Sequence, residues 1–159
     1  MLKILYICTH NRCRSILSEA ISRHHYPKLI DARSAGSQPA GEVHPLALKH
    51  LQAAAINTAG LTSQSWEDFE DFAPDVVFTL CDNANNETCP VWFGNSIKLH
   101  WGLRDPSAVQ ASDAAITNAF TTTIQMIKHR ASALAEIAAQ NLTTAELRSA
   151  LTTLTHKLA

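Results

Sequence analysis

The stretch Ile4-Leu5-Tyr6-Ile7-Cys8-Thr9-His10-Asn11-Arg12-Cys13-Arg14-Ser15 joins an apolar strand pattern to a short polar loop and then to a helical pattern. Residues 2–7 are mostly apolar and alternate little, as expected of a parallel strand covered on both faces. A cysteine stands at the end of that strand. Thr9–Cys13 separate it from Arg14, and Ser15 follows at once, so the loop's backbone N–H groups can wrap a small tetrahedral anion while the guanidinium closes the cup. A thiol at a helix N-terminus, facing free amides and an arginine, is driven toward thiolate, and the same field favours a bound oxyanion. Arg14 can hold two oxygens at once, which a lysine cannot do with the same geometry. From the first helical turn Ser15 can donate its hydroxyl to the Cys8 sulfur. Asn11 has a side chain able to brace the loop and tolerates left-handed backbone. Cys8 thus becomes a nucleophile inside an oxyanion cradle made by Thr9, His10, Asn11, Arg12, Cys13, Arg14 and Ser15.

Outward from this loop, a helix over 15–25 is stopped by Pro27, and a second strand over 29–35 ends at Gly36. Pro45 can sit in the first turn of a helix running through Ile56. Short helical turns follow over 61–72, where Ser65-Trp66-Glu67-Asp68 reads as a helix start with acids in its first turn. A third strand over 75–80 ends at Cys81, and a polar, asparagine-rich loop leads to Cys89-Pro90. A fourth strand over 96–101 runs into Arg104-Asp105-Pro106-Ser107, and helical patterns then cover 112–140 and 143–157. This order predicts an α/β fold: one domain over 1–159, with a four-stranded, mostly parallel sheet flanked by helices on both faces. Its core extends to about residue 140, and 141–159 form an extra C-terminal helix. Ligands of such sheets bind beyond the carboxyl ends of the strands. Cys8, Cys81 and the Asp105 loop each follow a strand, so all three gather at one edge.

With 159 residues, 46% of them apolar and 17% charged, the chain is long enough for one real core and is not of disordered composition. A net charge of -1 gives no general attraction to nucleic acid or to an anionic membrane. Neither a signal peptide nor a membrane span is evident, so a cytoplasmic protein is expected. In that compartment the 4 cysteines serve catalysis or metal binding rather than structural bridging. The 8 histidines show no ligand spacing with the cysteines, and no metal site is expected. Trp66, Trp92 and Trp101 read as anchors of core and loops rather than a cofactor box.

Cys8–Ser15 resembles the signature loop of the low-molecular-weight protein tyrosine phosphatase superfamily. Ser34-Ala35-Gly36 is similar to its second-strand motif, and Arg104-Asp105-Pro106 to the loop that carries its general-acid aspartate. The resemblance covers about residues 1–135, and it departs at His10, where the family commonly has glycine. Cys81 and Cys89 resemble the additional thiols of the arsenate reductases built on this fold and recharged by thioredoxin. They bracket one residue more than is usual there, a difference that a flexible loop absorbs.

The resemblance implies a three-cysteine relay. Cys8 attacks arsenate, Asp105 protonates the departing oxygen, Cys81 attacks the Cys8 sulfur to release arsenite, and Cys89 resolves the disulfide for thioredoxin to reduce. A monomer with no bound cofactor is expected, with phosphate or sulfate competing for the cradle. Other readings stand beside it. Cys81 and Cys89 can be inert, Asp105 can simply cap the turn before Pro106, and Cys13 can pack against the core or form a protective disulfide with Cys8. A phosphotyrosine phosphatase is the first rival, but Ser107-Ala108-Val109 stand where such enzymes place aromatic residues. The second rival is a thiol-based oxyanion or redox sensor.

Overall fold

Side chains of a strand alternate between its two faces, and in β1 (Leu2–Ile7) both sets are buried. Ile4 and Tyr6 enter one apolar cluster, while Leu5 and Ile7 enter another on the opposite face. The uninterrupted apolar run follows from this double burial. The computed structural model describes residues 1–82 and 90–159, with Val91 and Trp92 described by backbone alone. Cys89 and the Trp92 side chain, both singled out above, lie outside the described residues.

β2 (Ile30–Ala35), β3 (Val76–Thr79) and β4 (Ile97–His100) complete a four-stranded sheet of order β2-β1-β3-β4. Every neighbouring pair is parallel. The chain leaves β1 for β2 on one side and returns to place β3 on the other. The carboxyl ends of β1 and β3 therefore flank the point where the winding reverses, where open α/β sheets bind ligands. Cys8 and Cys81 follow those two strands.

The helices α1 (Arg14–His25), α2 (Pro45–Ala53), α3 (Asp113–Ala138) and α4 (Thr144–Lys157) all contribute to the cluster that holds Ile4 and Tyr6. Leu17, Leu51, Phe120 and Leu151 are their deepest contributions. On the other face, among the described residues, the 3₁₀ turns Trp66–Phe69 and Val91–Asn95 bring Trp66, Phe69 and Phe93 against Leu5, Ile7 and Val77.

Two helix ends differ from the periodicity. The pattern carries α2 to Ile56, yet the helix stops at Ala53: Ala55 turns left-handed at φ 58°, and the Ile56 N–H closes on the Leu51 carbonyl at 3.0 Å. Asn141 takes the same conformation beyond α3, at φ 51°. Thr143 and Glu146 then open α4 with a reciprocal capping box.

One buried side chain of α3 sets the path after β4. Arg130 stacks over the Trp101 ring, 4.4 Å from its centroid, and donates to the carbonyls of Trp101 (3.1 Å) and Gly102 (2.8 Å). Burial lowers its pKa to about 10, so it stays charged at neutral pH and anchors the segment that leads to Asp105.

Candidate active site

The loop after β1 is held by its carbonyls. Those of Thr9, His10 and Arg12 accept from the N–H groups of Gln38, Ala40 and His44, each at 2.9 Å. In a trans peptide the next N–H points the opposite way. The amides of His10, Asn11 and Cys13 are thereby turned to the inside of the loop. α1 begins at Arg14 with Cys13 as its N-cap, and no side-chain hydrogen bond closes that end, which leaves the first-turn amides facing the same space.

Asn11 braces the cradle as expected. It takes φ 46°, is fully buried, and uses both ends of its amide. Oδ1 accepts the Gln64 N–H at 2.7 Å, while Nδ2 donates to Ser15 Oγ at 2.7 Å and to Ser34 Oγ at 3.0 Å. Because Ser15 Oγ accepts from Asn11, its own hydrogen is left for the Cys8 sulfur, 2.9 Å away. Gly36, last of the Ser34-Ala35-Gly36 motif, lies under the loop. A Cβ there would stand 2.5 Å from the Thr9 carbonyl and 2.8 Å from that of Cys8, so only glycine lets the two backbones approach.

Behind the cradle runs a chain of contacts that reading the sequence did not single out. Ser34 Oγ donates to Glu19 Oε1 at 2.6 Å, and Glu19 pairs with Arg23 at 2.8 Å. Burial raises the Glu19 pKa, with Ser34 and Arg23 working against it. One signal was available: Glu19 lies four residues beyond Ser15, on the same face of α1.

Asp105 both caps its turn and faces the cradle. Oδ1 accepts the N–H of Ser107 at 2.9 Å and its hydroxyl at 2.7 Å, while Oδ2 lies 3.7 Å from Arg14 Nη2. Arg14 also donates to the Leu103 carbonyl at 3.3 Å, so the guanidinium spans the cradle and the acid's loop. Cys81 Sγ sits 3.5 Å from the Thr9 hydroxyl and is buried in the same apolar cluster as Cys8. Cys13 is buried too, and its thiol is pushed up to about 12, first by burial and then by the negative fields of Asp105 and Cys8. It is a neutral packing group at physiological pH, and Cys8, Cys13 and Cys81 are all free thiols. His10 lies at the exposed rim, with Nδ1 3.1 Å from the Gln38 carbonyl. Its carbonyl makes one of the loop-holding bonds described above, so histidine supports this loop without glycine. Arg12 is half-buried, and its Nε makes no hydrogen bond among the described residues. A groove of about 810 Å³ lies on the α3 side of the Asp105 loop, lined by Pro106, Val109 and Met126 among others, and Cys8 does not line it. The loop amides and Arg14 converge instead on the cradle.

A thiol after a parallel strand, amides converging at a helix N-terminus, an arginine and a facing aspartate define a cysteine-dependent oxyanion-transfer protein of α/β architecture. The chain belongs to the low molecular weight phosphotyrosine protein phosphatase family, whose profile matches residues 3–147. Arsenate reductase 1 of Staphylococcus epidermidis is 32% identical over 128 residues, 80% of this chain and 96% of that protein. Among solved structures, an arsenate reductase in the phosphate binding state superimposes with a TM-score of 0.70 at 29% identity, covering 86% of this chain and 98% of that one. A thioredoxin-dependent arsenate reductase of Corynebacterium glutamicum gives a TM-score of 0.68 at 26% identity, over 89% of this chain and 64% of that one.

Proposed function

We propose that this chain reduces arsenate to arsenite by a thiol relay through Cys8, Cys81 and Cys89 that thioredoxin recharges. The observation that carries the proposal is the second thiol: Cys81 rests against the Thr9 hydroxyl, one residue from the nucleophile and in the same apolar cluster. A phosphatase needs only the cradle, Cys8, Arg14 and Asp105. In the relay the Cys8 sulfur bonds to arsenic, and the departing oxygen takes a proton from Asp105. Cys81 then attacks the Cys8 sulfur; as the disulfide forms, the sulfur–arsenic electron pair passes to arsenic, which leaves as arsenite. Cys89 attacks Cys81, frees Cys8 and leaves Cys81–Cys89 for the thioredoxin dithiol. No bound cofactor takes part, and the protein works as a monomer in the reducing cytoplasm.

The test is NADPH consumption with thioredoxin, thioredoxin reductase and arsenate, run beside aryl phosphate hydrolysis. Arsenate-dependent consumption is expected, lost in Cys8→Ser, Cys81→Ser and Cys89→Ser, with slow aryl phosphatase activity surviving only in the last two. Arsenate turnover intact in Cys89→Ser would sink the relay. Aryl phosphate hydrolysis with no arsenate-dependent consumption would leave a phosphatase.

A further inference from the structure

Asp105 has two carboxyl oxygens, and one residue claims the first of them twice. Oδ1 accepts both the backbone N–H of Ser107 (2.9 Å) and its hydroxyl (2.7 Å), whereas Oδ2 has Arg14 at 3.7 Å, on the cradle side. The backbone bond alone suffices to cap the 3₁₀ turn Pro106–Ala108, so the hydroxyl is surplus to the cap. Two donors converging on Oδ1 make it a poor seat for a proton, since an O–H there would meet both donors head-on. A proton on this carboxyl therefore sits on Oδ2. From these contacts we infer that Ser107 is a positioning residue for the transfer step, holding Asp105 so that Oδ2 carries the proton delivered to the departing oxygen.

The inference rests on the acid role proposed above for Asp105. For an aryl phosphate the Cys8 sulfur–phosphorus bond forms as the phosphorus–oxygen bond to the aryl group breaks. The Oδ2 proton goes to that oxygen, releasing the phenol and leaving Asp105 ionised. A general acid matters where the leaving group is poor, as in phenyl phosphate, and little where the leaving anion is stable, as in 2,4-dinitrophenyl phosphate. The experiment measures kcat/KM for both esters in the wild type, Ser107→Ala, Ser107→Thr and Asp105→Asn.

Ser107→Ala is expected to lose about tenfold on phenyl phosphate and less than about twofold on the dinitrophenyl ester, part of the roughly 10²–10⁴ an aligned acid contributes. Ser107→Thr, which keeps the hydroxyl, restores the phenyl rate. Asp105→Asn shows the same selectivity with a larger loss. If Ser107→Ala leaves phenyl phosphate untouched, or depresses both esters equally, while Asp105→Asn remains selective, the positioning role is overturned and the acid stands. An unselective Asp105→Asn removes the acid role itself.

Discussion

At Asn11 one side chain and one unusual φ hold the nucleophile's surroundings together. Its amide satisfies the Gln64 N–H and two hydroxyls, and through Ser15 it directs a hydrogen at Cys8. Truncation leaves a buried N–H without its acceptor, which costs about 1–3 kcal/mol. Alanine must also adopt φ 46°, at roughly 1–2 kcal/mol more. Urea denaturation is expected to show Asn11→Ala destabilised by about 2–5 kcal/mol, and Asn11→Gly by about 1 kcal/mol less because glycine accepts that φ freely. Equal losses in the two variants would mean that backbone strain plays no part. The role of Asn11 was legible because the residue type suits the conformation. The Ser34–Glu19–Arg23 chain behind it was not, because it joins α1 to β2 across a contact that only the parallel register of β1 and β2 creates.

Elements were legible where pattern and punctuation agree. β1 shows itself by double burial, α2 by Pro45 at its start, and α4 by a helical pattern that begins at Thr143. The end of α2 escaped because its left-handed residue is Ala55 rather than glycine. The 3₁₀ character of Trp66–Phe69 was within reach, since Ser65 accepts the Glu67 N–H as its N-cap. The closing helix α4, which the pattern alone sets beyond the core, has Leu151 fully buried in the cluster shared by α1, α2 and α3. The Leu158 carbonyl just after it accepts the Trp101 indole N–H at 3.0 Å, tying it to the end of β4 and so toward the Asp105 loop. Leu151→Ala is therefore expected to cost about 2–5 kcal/mol of global stability in a single cooperative transition. A loss below about 1 kcal/mol, or a separate early transition, would show that α4 is a detachable appendage.

Across the whole molecule, buried acids make alkaline stability informative about the site. Cys13 has an ordinary value of 9.0 and is held at about 12 in the fold, and Tyr6, hydrogen-bonded to Ser22, is held at about 12 against 10.0. In both cases burial is the first cause, so the folded protein keeps a proton that the unfolded chain releases. Stability is then fully present below the unfolded pKa and declines as pH rises toward the folded one. Arg130 works the other way. Its pKa falls from 12.5 to about 10, so above pH 10 the unfolded chain binds the extra proton and stability gains. Between pH 9 and 10 Cys13 is the first of the three to act, its ordinary value lying at 9.0. There the unfolding free energy is expected to drop by up to about 1.4 kcal/mol per pH unit, the cost of one proton difference. Cys13→Ala has no proton to keep and should flatten the slope while leaving the neutral-pH transition cooperative. Urea midpoints at pH 8.5, 9 and 10 for the two proteins decide the matter, because an identical slope in both would place Cys13 outside the protected core.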